Sequence, residues 1–194
     1  MIDKKDVISF FDSLAPHWDN GDVASDDIIG LILDGANVTK DKKVLDVACG
    51  TGVLIPHYLK REVKSVTGVD ISPKMAQIAR SKFNNSKVEI ICGDVENIKF
   101  SQKFDCIVVY NAFPHFPHPE SLIKALVSLL EDGGTLTIAH GASRQTIDSH
   151  HKGVASHVSS GLMHEDELAK IIGEKLTITL KISNEKMYQV TGVL

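Results

Sequence analysis

The segment Val44–Gly52, with the sequence VLDVACGTG, constrains the fold of this chain more than any other feature. An apolar run that predicts a buried strand leads directly into a turn with two glycines, Gly50 and Gly52, and a helix is expected from about Val53. Glycine lets a backbone approach a ligand closely. The helix that follows offers unpaired N–H groups and a positive dipole end. This strand–turn–helix unit therefore predicts a ligand site at the carboxyl edge of a parallel sheet.

The chain up to about residue 140 alternates predicted strands with predicted helices, which is typical of a parallel sheet covered on both faces. Strands are predicted at 43–48, 65–69, 88–92, 104–110 and 135–139. Helices are predicted at 3–15, from Ser25 to Gly35, after Ser72-Pro73 and from Pro119. Residues 141–161 show little periodicity and are expected to form a loop, followed by a short helix at about 165–172. Two apolar runs, 176–182 and 187–194, then predict an antiparallel hairpin.

Length, composition and charge favour one compact soluble domain. The 194 residues are 43% hydrophobic and 24% charged, which is ordinary for a globular protein. A net charge of -4 argues against a large nucleic-acid surface. No apolar run approaches the ~18 residues that span a bilayer, and the N-terminus lacks the apolar region of a secretion signal. Cys49, Cys92 and Cys106 are expected to be reduced thiols, which indicates a cytoplasmic protein. We further expect a monomer or a homodimer with no nucleic-acid or membrane partner.

The glycine turn admits two nucleotide interpretations. A dinucleotide site requires a third glycine three positions after the second, and Ile55 stands there. Asp46, inside the first strand, has no standard role in that fingerprint. An aspartate just ahead of the glycines suits a ligand that carries an ammonium and a sulfonium group. An NAD-dependent oxidoreductase remains the alternative enzyme.

Two further acids follow predicted strands. Asp70 ends the second strand, 70 − 46 = 24 residues after Asp46, where a carboxylate can accept both hydroxyl hydrogens of a ribose. Asp94 follows Gly93 at the end of the third strand and can accept a hydrogen bond from an adenine amino group. The alternative is that these acids only cap turns.

Three motifs together resemble those of the class I S-adenosylmethionine-dependent methyltransferases: VLDVACGTG, VTGVDIS and ICGDVENI. The resemblance covers roughly residues 40–140. It implies an α/β fold with a doubly wound, Rossmann-like, mostly parallel seven-stranded sheet whose last strand is antiparallel. It also implies methyl transfer from S-adenosylmethionine to a small-molecule acceptor, with S-adenosylhomocysteine as product. The residues it implies for the cofactor are Asp46, Gly50 and Gly52 for the methionine moiety, Asp70 for the ribose, Asp94 and Val95 for the adenine, and Ala48, Cys49, Ile71, Met75 and Asn111 beside them.

The N-terminal stretch FFDSLAPHWD, residues 10–19, resembles the lead segment of methyltransferases similar to those of quinone biosynthesis. In that group the stretch folds over the cofactor, so residues 1–35 are predicted to form a helical lid. Trp18 is the only tryptophan, and it is predicted to stack near the sulfonium, since cations favour aromatic faces. A tryptophan packed on the core is the alternative. The same similarity suggests a quinone-type carbon acceptor.

The acceptor side is predicted from the end of the fourth strand. Methyl transfer requires alignment in a dry site, and a base only where the acceptor must lose a proton. The sequence Asn111-Ala112-Phe113 lacks the Pro-Pro-aromatic pattern of some amino-methylating relatives, which disfavours adenine-N6 or glutamine methylation. His115 is the best candidate for a polar group facing the acceptor, with Phe113 beside it. A histidine merely exposed on a loop is the alternative.

Seven of the nine histidines fall within residues 115–164. His140 ends the fifth strand, so His115 and His140 are predicted as catalytic residues that line one pocket, with residues 141–164 as a His-rich active-site loop. The substrate candidates in this loop are Arg144, His150 and His151. Converging imidazoles can ligate a transition metal, shuttle protons or bind an anionic acceptor with the arginine. A polar surface loop is the alternative, and a non-catalytic cofactor- or metal-binding protein is the rival from another class.

Overall fold

The structure is a computed structural model that describes residues 2–21, 24–151 and 156–194, without the side chains of 150 and 151. Within these residues the strands are β1 (Lys43–Val47), β2 (Ser65–Asp70), β3 (Val88–Cys92), β4 (Phe104–Tyr110), β5 (Leu130–His140), β6 (Thr177–Ser183) and β7 (Tyr188–Val193). The α-helices are α1 (Lys4–Leu14), α2 (Asp26–Gly35), α3 (Ile55–Lys60), α4 (Pro73–Lys82), α5 (Pro119–Ser128), α6 (Arg144–His151) and α7 (Glu165–Gly173). Two short 3₁₀ helices cover Ala15–Asn20 and Phe113–His115.

The strands form one seven-stranded sheet in the order β3-β2-β1-β4-β5-β7-β6. β1 pairs in parallel with both β2 and β4, and the parallel pairing continues outward to β3 and β5. β7 runs antiparallel to both of its neighbours, β5 and β6. The predicted doubly wound sheet with an antiparallel C-terminal hairpin is confirmed. Its strand order reverses direction between β1 and β4, which is where such sheets bind ligands.

The central strands are buried on both faces because their sequences are almost continuously apolar. Side chains alternate between two clusters. Leu45 and Ile107 belong to the cluster that α5 and α7 cover, whereas Val44 and Val108 belong to the cluster that α2 and α3 cover. Asp46 is the polar exception in β1 and is only 2% exposed. No helix among the described residues is long and apolar enough to cross a membrane.

Helix starts follow the predicted caps. The Ser25 hydroxyl accepts a hydrogen bond from the Ile28 N–H at the start of α2, and the Ser72 hydroxyl accepts one from the Met75 N–H at the start of α4. Each cap satisfies a backbone donor that the first helical turn leaves unpaired. The helix after the glycine turn begins at Ile55, two residues later than predicted.

Two elements differ from prediction. α6 occupies part of the predicted loop. The Ser143 hydroxyl caps its start, and the Asp148 carboxylate accepts a hydrogen bond from the Leu162 N–H at 2.8 Å. Both contacts are made by polar groups, so they leave no periodic apolar pattern in the sequence. β5 begins five residues early, at Leu130, with a register shift opposite Phe104–Cys106. The polar first residues of β5 pair with the chain segment after β7, since the Gly134 carbonyl accepts a hydrogen bond from the Leu194 N–H.

Candidate functional site

A cavity of about 440 Å³ lies at the carboxyl edge of the sheet. The loops after β1, β2, β3 and β4 form its floor, and a roof segment, residues 4–20, covers it. α2, the second helix of the predicted lid, packs in the core through Ile29, Ile32 and Leu33 instead. The predicted site residues that line the cavity are Trp18, Ala48, Cys49, Gly50, Asp70, Ile71, Met75, Asp94, Val95, Asn111 and His115.

The loop after β1 combines left-handed backbone with an open surface. Ala48 and Gly50 both have φ of 55°, which costs about 1 kcal/mol or more for a residue with a Cβ. A Cβ on Gly50 would point into the space under Trp18, with the indole Nε1 at 3.7 Å as its nearest neighbour. Gly52 differs, because a Cβ there would lie 2.4 Å from the Phe83 ring. Gly50 therefore leaves room for a ligand, whereas Gly52 leaves room for a side chain of the protein.

Asp70 links the loop after β1 to the loop after β2 by hydrogen bonds. Its carboxylate accepts from the Gly50 N–H and from the Ser72 N–H, both at 2.8 Å. Burial raises the pKa of Asp70, and these two hydrogen bonds counteract part of the rise. An ionised carboxylate has about four lone-pair positions, so the cavity-facing side of Asp70 keeps acceptor capacity for hydroxyl groups.

Asp46 lies behind the loop and does not line the cavity. Its Oδ2 atom has no hydrogen-bond partner among the described residues. Burial raises the pKa of Asp46 to about 8; the Tyr58 hydroxyl beside it counteracts part of the rise, and the charge of Asp70 adds to it. The side chain is therefore a buried carboxyl group that a nearby cation would ionise.

Asp94 is already engaged by the roof. Its Oδ2 atom accepts from the Lys4 ammonium at 2.6 Å and from the Asn97 amide at 2.8 Å. Lys4 also contacts Glu96 at 2.7 Å. Partial burial by itself would lower the pKa of Lys4, but the two carboxylates outweigh it and raise that pKa. An adenine amino group at this position would share the Asp94 carboxylate with Lys4.

Two aspartates fasten the rest of the roof. Asp12 accepts from the Ser72 hydroxyl at 2.5 Å and from the Lys74 N–H at 3.1 Å. Asp19 accepts from the Thr51 hydroxyl at 2.6 Å and pairs with Lys82 at 2.5 Å. Burial would raise the pKa of Asp19, but these partners lower it. Asp19, Asp12 and Lys4 thus attach the roof to the segments that follow β1, β2 and β3, respectively, and Asp19 also reaches Lys82 at the end of α4.

Aromatic rings line the inner side of the roof. The Phe11 ring packs edge to face against both Trp18, at 5.6 Å, and His115, at 4.9 Å. The His115 Nδ1 atom lies 2.8 Å from the Val158 carbonyl oxygen. A carbonyl only accepts, so Nδ1 carries the proton and Nε2 is the basic nitrogen of the neutral ring.

The end of β4 contributes two polar side chains. Asn111 has φ of 53°, and its Oδ1 atom accepts from the Gly141 N–H at 3.0 Å. Tyr110 lines the cavity and is 6% exposed. Burial raises the pKa of Tyr110, and the neighbouring Asn111 amide counteracts part of the rise.

Three other predicted site residues do not line the cavity: His140, Phe113 and Arg144. His140 is 1% exposed, because strand alternation places it on the Leu136 and Ile138 face of β5, where its ring lies 6.1 Å from that of Tyr188. His140 is therefore not part of the cavity lining, whereas His115 is. Phe113 is buried in the core, and Arg144 begins α6 outside the cavity lining. The side chains of His150 and His151 lie outside the described residues.

The described part of the chain contains no group of three or more His, Cys, Asp or Glu side chains placed to hold a metal ion. The sequence interpretation missed the roof contacts of Lys4, Asp12 and Asp19, and the role of Phe11 between the two other rings. The FFDSLAPHWD stretch contains Asp12 and Asp19, seven residues apart. This spacing is the sequence feature from which the two aspartate contacts could have been predicted. Their partners, however, are distant in sequence.

Comparisons with known proteins agree with this geometry. Residues 44–134 match a family described as a methyltransferase domain. The malonyl-[acyl-carrier protein] O-methyltransferase of Acetivibrio thermocellus is 32% identical over 142 residues, which are 72% of this chain and 50% of that protein. The ubiquinone biosynthesis O-methyltransferase of Coxiella burnetii is 33% identical over 144 residues, 70% of this chain and 61% of that protein. The chain thus spans half to three fifths of these relatives.

Solved structures share the fold. A Haloferax volcanii methyltransferase, solved in complex with the Trm112 methyltransferase activator, has a TM-score of 0.80 at 18% identity, with 96% of each chain covered. Magnesium protoporphyrin IX methyltransferase of Synechocystis PCC 6803, solved with S-adenosylhomocysteine, has a TM-score of 0.73 at 18% identity, covering 98% of this chain and 99% of that one. This chain belongs to the class I S-adenosylmethionine-dependent methyltransferases, and S-adenosylmethionine is the cofactor of that family.

Proposed function

We propose that this chain transfers a methyl group from S-adenosylmethionine to a small-molecule acceptor. One observation carries the proposal: three motif loops, with Gly50, Asp70 and Asp94, meet at one cavity under an aromatic roof. The rival dinucleotide site is disfavoured, because Ile55 replaces the third glycine and its side chain is fully buried.

The chain's polar groups suit the parts of this cofactor. The open space at Gly50 accommodates the methionine chain. The Asp46 carboxyl, buried behind the loop and with its Oδ2 atom lacking a hydrogen-bond partner among the described residues, supplies a counter-charge for the ammonium group. Asp70 accepts hydrogen bonds from the ribose hydroxyls. Asp94 and Val95 bound the adenine at the β3 loop. Ala48, Cys49, Ile71 and Met75 supply the surrounding wall, and the last two contribute apolar surface.

Bound S-adenosylmethionine supplies a methyl carbon made electrophilic by its sulfonium. The acceptor's lone pair forms the new bond to carbon, and the electrons of the broken S–C bond return to sulfur, which leaves neutral S-adenosylhomocysteine sulfide. In this chain, the roof segment excludes water and Trp18 offers an aromatic face to the sulfonium. A proton released by the acceptor passes to the His115 Nε2 atom, because Nδ1 is held as a donor by the Val158 carbonyl.

The acceptor is expected to be compact and mostly apolar. The cavity lining includes the apolar side chains of Phe11, Leu14, Trp18 and Phe116. Among the described residues, Lys4 is the one lysine or arginine in the cavity lining, and two carboxylates already neutralise it. A cavity of this kind favours an uncharged ring system, and the named activities of both curated relatives are O-methylations.

Calorimetry with S-adenosylhomocysteine and with NAD tests the cofactor. We expect S-adenosylhomocysteine to bind and NAD not to bind; the reverse result would overturn the proposal. Transfer from labelled S-adenosylmethionine to a panel of phenols, quinols, amines and thiols then tests the reaction.

The base is tested by His115→Asn, because the asparagine amide can still donate to the Val158 carbonyl but cannot accept a proton. For an acceptor that loses a proton, kcat should fall by about 10²–10⁴-fold. Affinity for S-adenosylhomocysteine should not change. A variant with wild-type kcat would remove His115 from proton transfer.

The location and assembly of the protein complete the proposal. We infer a cytoplasmic enzyme, on the grounds that Cys49, Cys92 and Cys106 are all free thiols. We expect a monomer or a homodimer. Light scattering during size-exclusion chromatography measures the oligomeric state, and a larger assembly would contradict this expectation.

A further inference from the structure

The Tyr58 side chain meets the Asp46 carboxyl in the core behind the cavity. Val44 of β1 and Tyr58 of α3 belong to the same core cluster, and Asp46 faces that cluster because it stands two residues after Val44 on the strand. Asp46 is 2% exposed and Tyr58 is fully buried. Burial raises the pKa of both groups; in addition, the hydroxyl lowers the pKa of the carboxyl, and the carboxyl raises the pKa of the hydroxyl. The two polar groups are therefore direct neighbours.

Neither polar group is fully paired within the described part of the chain. Asp46 Oδ2 and the Tyr58 hydroxyl both lack a hydrogen-bond partner of normal geometry there, and a buried polar atom in this state costs free energy. An apolar side chain would fill the same position on α3, as the equally buried Ile55 does one turn earlier. The Tyr58 hydroxyl thus gives the ligand-free core little stability. Its contact with Asp46 becomes stronger when the carboxyl ionises, because hydrogen bonds to a charged acceptor are roughly twice as strong.

The other titratable groups around this pair do not replace the hydroxyl. Cys49, in the loop after β1, and Cys106, on β4, are buried thiols, and burial raises the pKa of each. Asp70, on β2, raises the pKa of Asp46 through its charge. The charge of Arg80, on α4, acts on the Cys49 thiol. Among these groups, the Tyr58 hydroxyl is the one that acts on Asp46 as a hydrogen-bond donor.

We propose that Tyr58 is a positioning residue of the cofactor site, whose hydroxyl donates to the Asp46 carboxylate and so supports its contact with the ammonium group of the methionine moiety. The inference rests on the proposed function and adds a residue that does not itself line the cavity. When the ammonium group binds near neutral pH, the Asp46 carboxyl gives its proton to the solvent, and the Tyr58 O–H donates to the oxygen that has become charged. The hydroxyl therefore stabilises the complex more than the ligand-free protein.

Tyr58→Phe tests this role, because it removes the hydroxyl and keeps the ring. Affinity for S-adenosylhomocysteine, measured by calorimetry, should fall by about tenfold near neutral pH, since a lost hydrogen bond to a charged group makes ionisation of Asp46 harder by that factor. The loss should shrink as the pH rises above about 8, where the carboxyl is increasingly ionised before the ligand binds. Urea unfolding of the ligand-free variant at about pH 6 should show wild-type or higher stability, because phenylalanine leaves no buried hydroxyl unpaired.

Two further variants separate this role from packing. Tyr188→Phe is the matched control: Tyr188 is also fully buried, but its hydroxyl donates to the Met163 carbonyl and its ring lies in the other core cluster. This control should lose stability and keep the wild-type affinity at every pH. In an Asp46→Asn protein, Tyr58→Phe should not reduce the affinity further, because the hydroxyl acts through the carboxyl.

The opposite results overturn the inference. They are an unchanged affinity of Tyr58→Phe near neutral pH, an equal loss at every pH, and losses that add in the double variant. A Tyr58→Phe protein that is less stable than the wild type, or does not fold, would also overturn it, because the hydroxyl would then serve the ligand-free core. Binding of S-adenosylhomocysteine to the wild type is measured first. If it fails, the proposed function fails and the inference with it; if it succeeds and Tyr58→Phe behaves like Tyr188→Phe, only the role of Tyr58 is wrong.

Discussion

The carboxyl group of Asp46 should make the ligand-free protein less stable as pH rises. Burial raises the pKa of this carboxyl to about 8 in the folded protein, from an ordinary value of 3.8. Between these two values the folded state holds one proton that the unfolded state has lost. The free energy of unfolding therefore falls with increasing pH, by about 1.4 kcal/mol per pH unit. The stabilisation is greatest below the unfolded pKa and is lost as pH rises towards the folded pKa.

Asp46→Asn isolates this effect, because asparagine has nearly the same shape and does not titrate. From about pH 5.5 to about pH 7, the wild type should lose about 2 kcal/mol of stability relative to the variant. Histidines elsewhere contribute equally to both proteins and cancel in the difference. Nearby Tyr58 and Cys49 stay protonated in this range, since burial raises the pKa of each.

Urea unfolding at the two pH values measures the difference, with the exposed Asp41→Asn as a control that should keep the wild-type slope. Parallel pH slopes for the wild type and Asp46→Asn would refute a buried neutral Asp46. A second measurement follows from the proposed ammonium contact. Because the cation favours the ionised carboxyl, S-adenosylhomocysteine affinity should rise with pH up to about 8 in the wild type, and the variant should lose this rise.

Four further substitutions have expected outcomes. Gly50→Ala should weaken S-adenosylhomocysteine binding by about tenfold or more, because the new Cβ enters the ligand space. The control is Gly133→Ala, which has φ of 74° and open surroundings and should cost only about 1 kcal/mol of stability. Equal losses of affinity in the two variants would contradict the close-approach argument. Asp70→Asn should cost about 1–3 kcal/mol of binding by calorimetry, and an unchanged affinity would remove Asp70 from the ribose site. Asp19→Asn should speed S-adenosylhomocysteine release by up to about fivefold in stopped flow, since a half-exposed ion pair is worth at most about 1 kcal/mol; an unaltered rate would show that this contact does not hold the roof. His140→Ala should lower stability by about 2 kcal/mol because it empties a core position, with binding unchanged; lost binding in a stable variant would restore its predicted place in the site.

Local sequence predicted most of the fold correctly where short-range physics decides it. Strands β3 and β4 begin and end where their apolar runs do. Ser72 and Pro73 start α4 because a hydroxyl cap and a fixed proline φ act on neighbouring backbone groups. The polar α6 was not predictable in this way. The contacts that support it, a serine cap and the hydrogen bond from Leu162, involve polar groups and leave no periodic apolar pattern in the sequence.

For the candidate site, too, the sequence decided some features and the tertiary structure decided others. Sequence alone determined which loops line the cavity, because parallel strands present their carboxyl ends at one edge and the glycines and acids follow those strands directly. Tertiary structure decided what each side chain does there. It placed His140 in the core, paired Asp94 with Lys4 and paired the Asn111 side chain with the Gly141 N–H. Each of these outcomes depends on a partner at least 30 residues away in sequence or on the face of a strand, and hydrogen bonding across such distances is fixed only when the chain has folded.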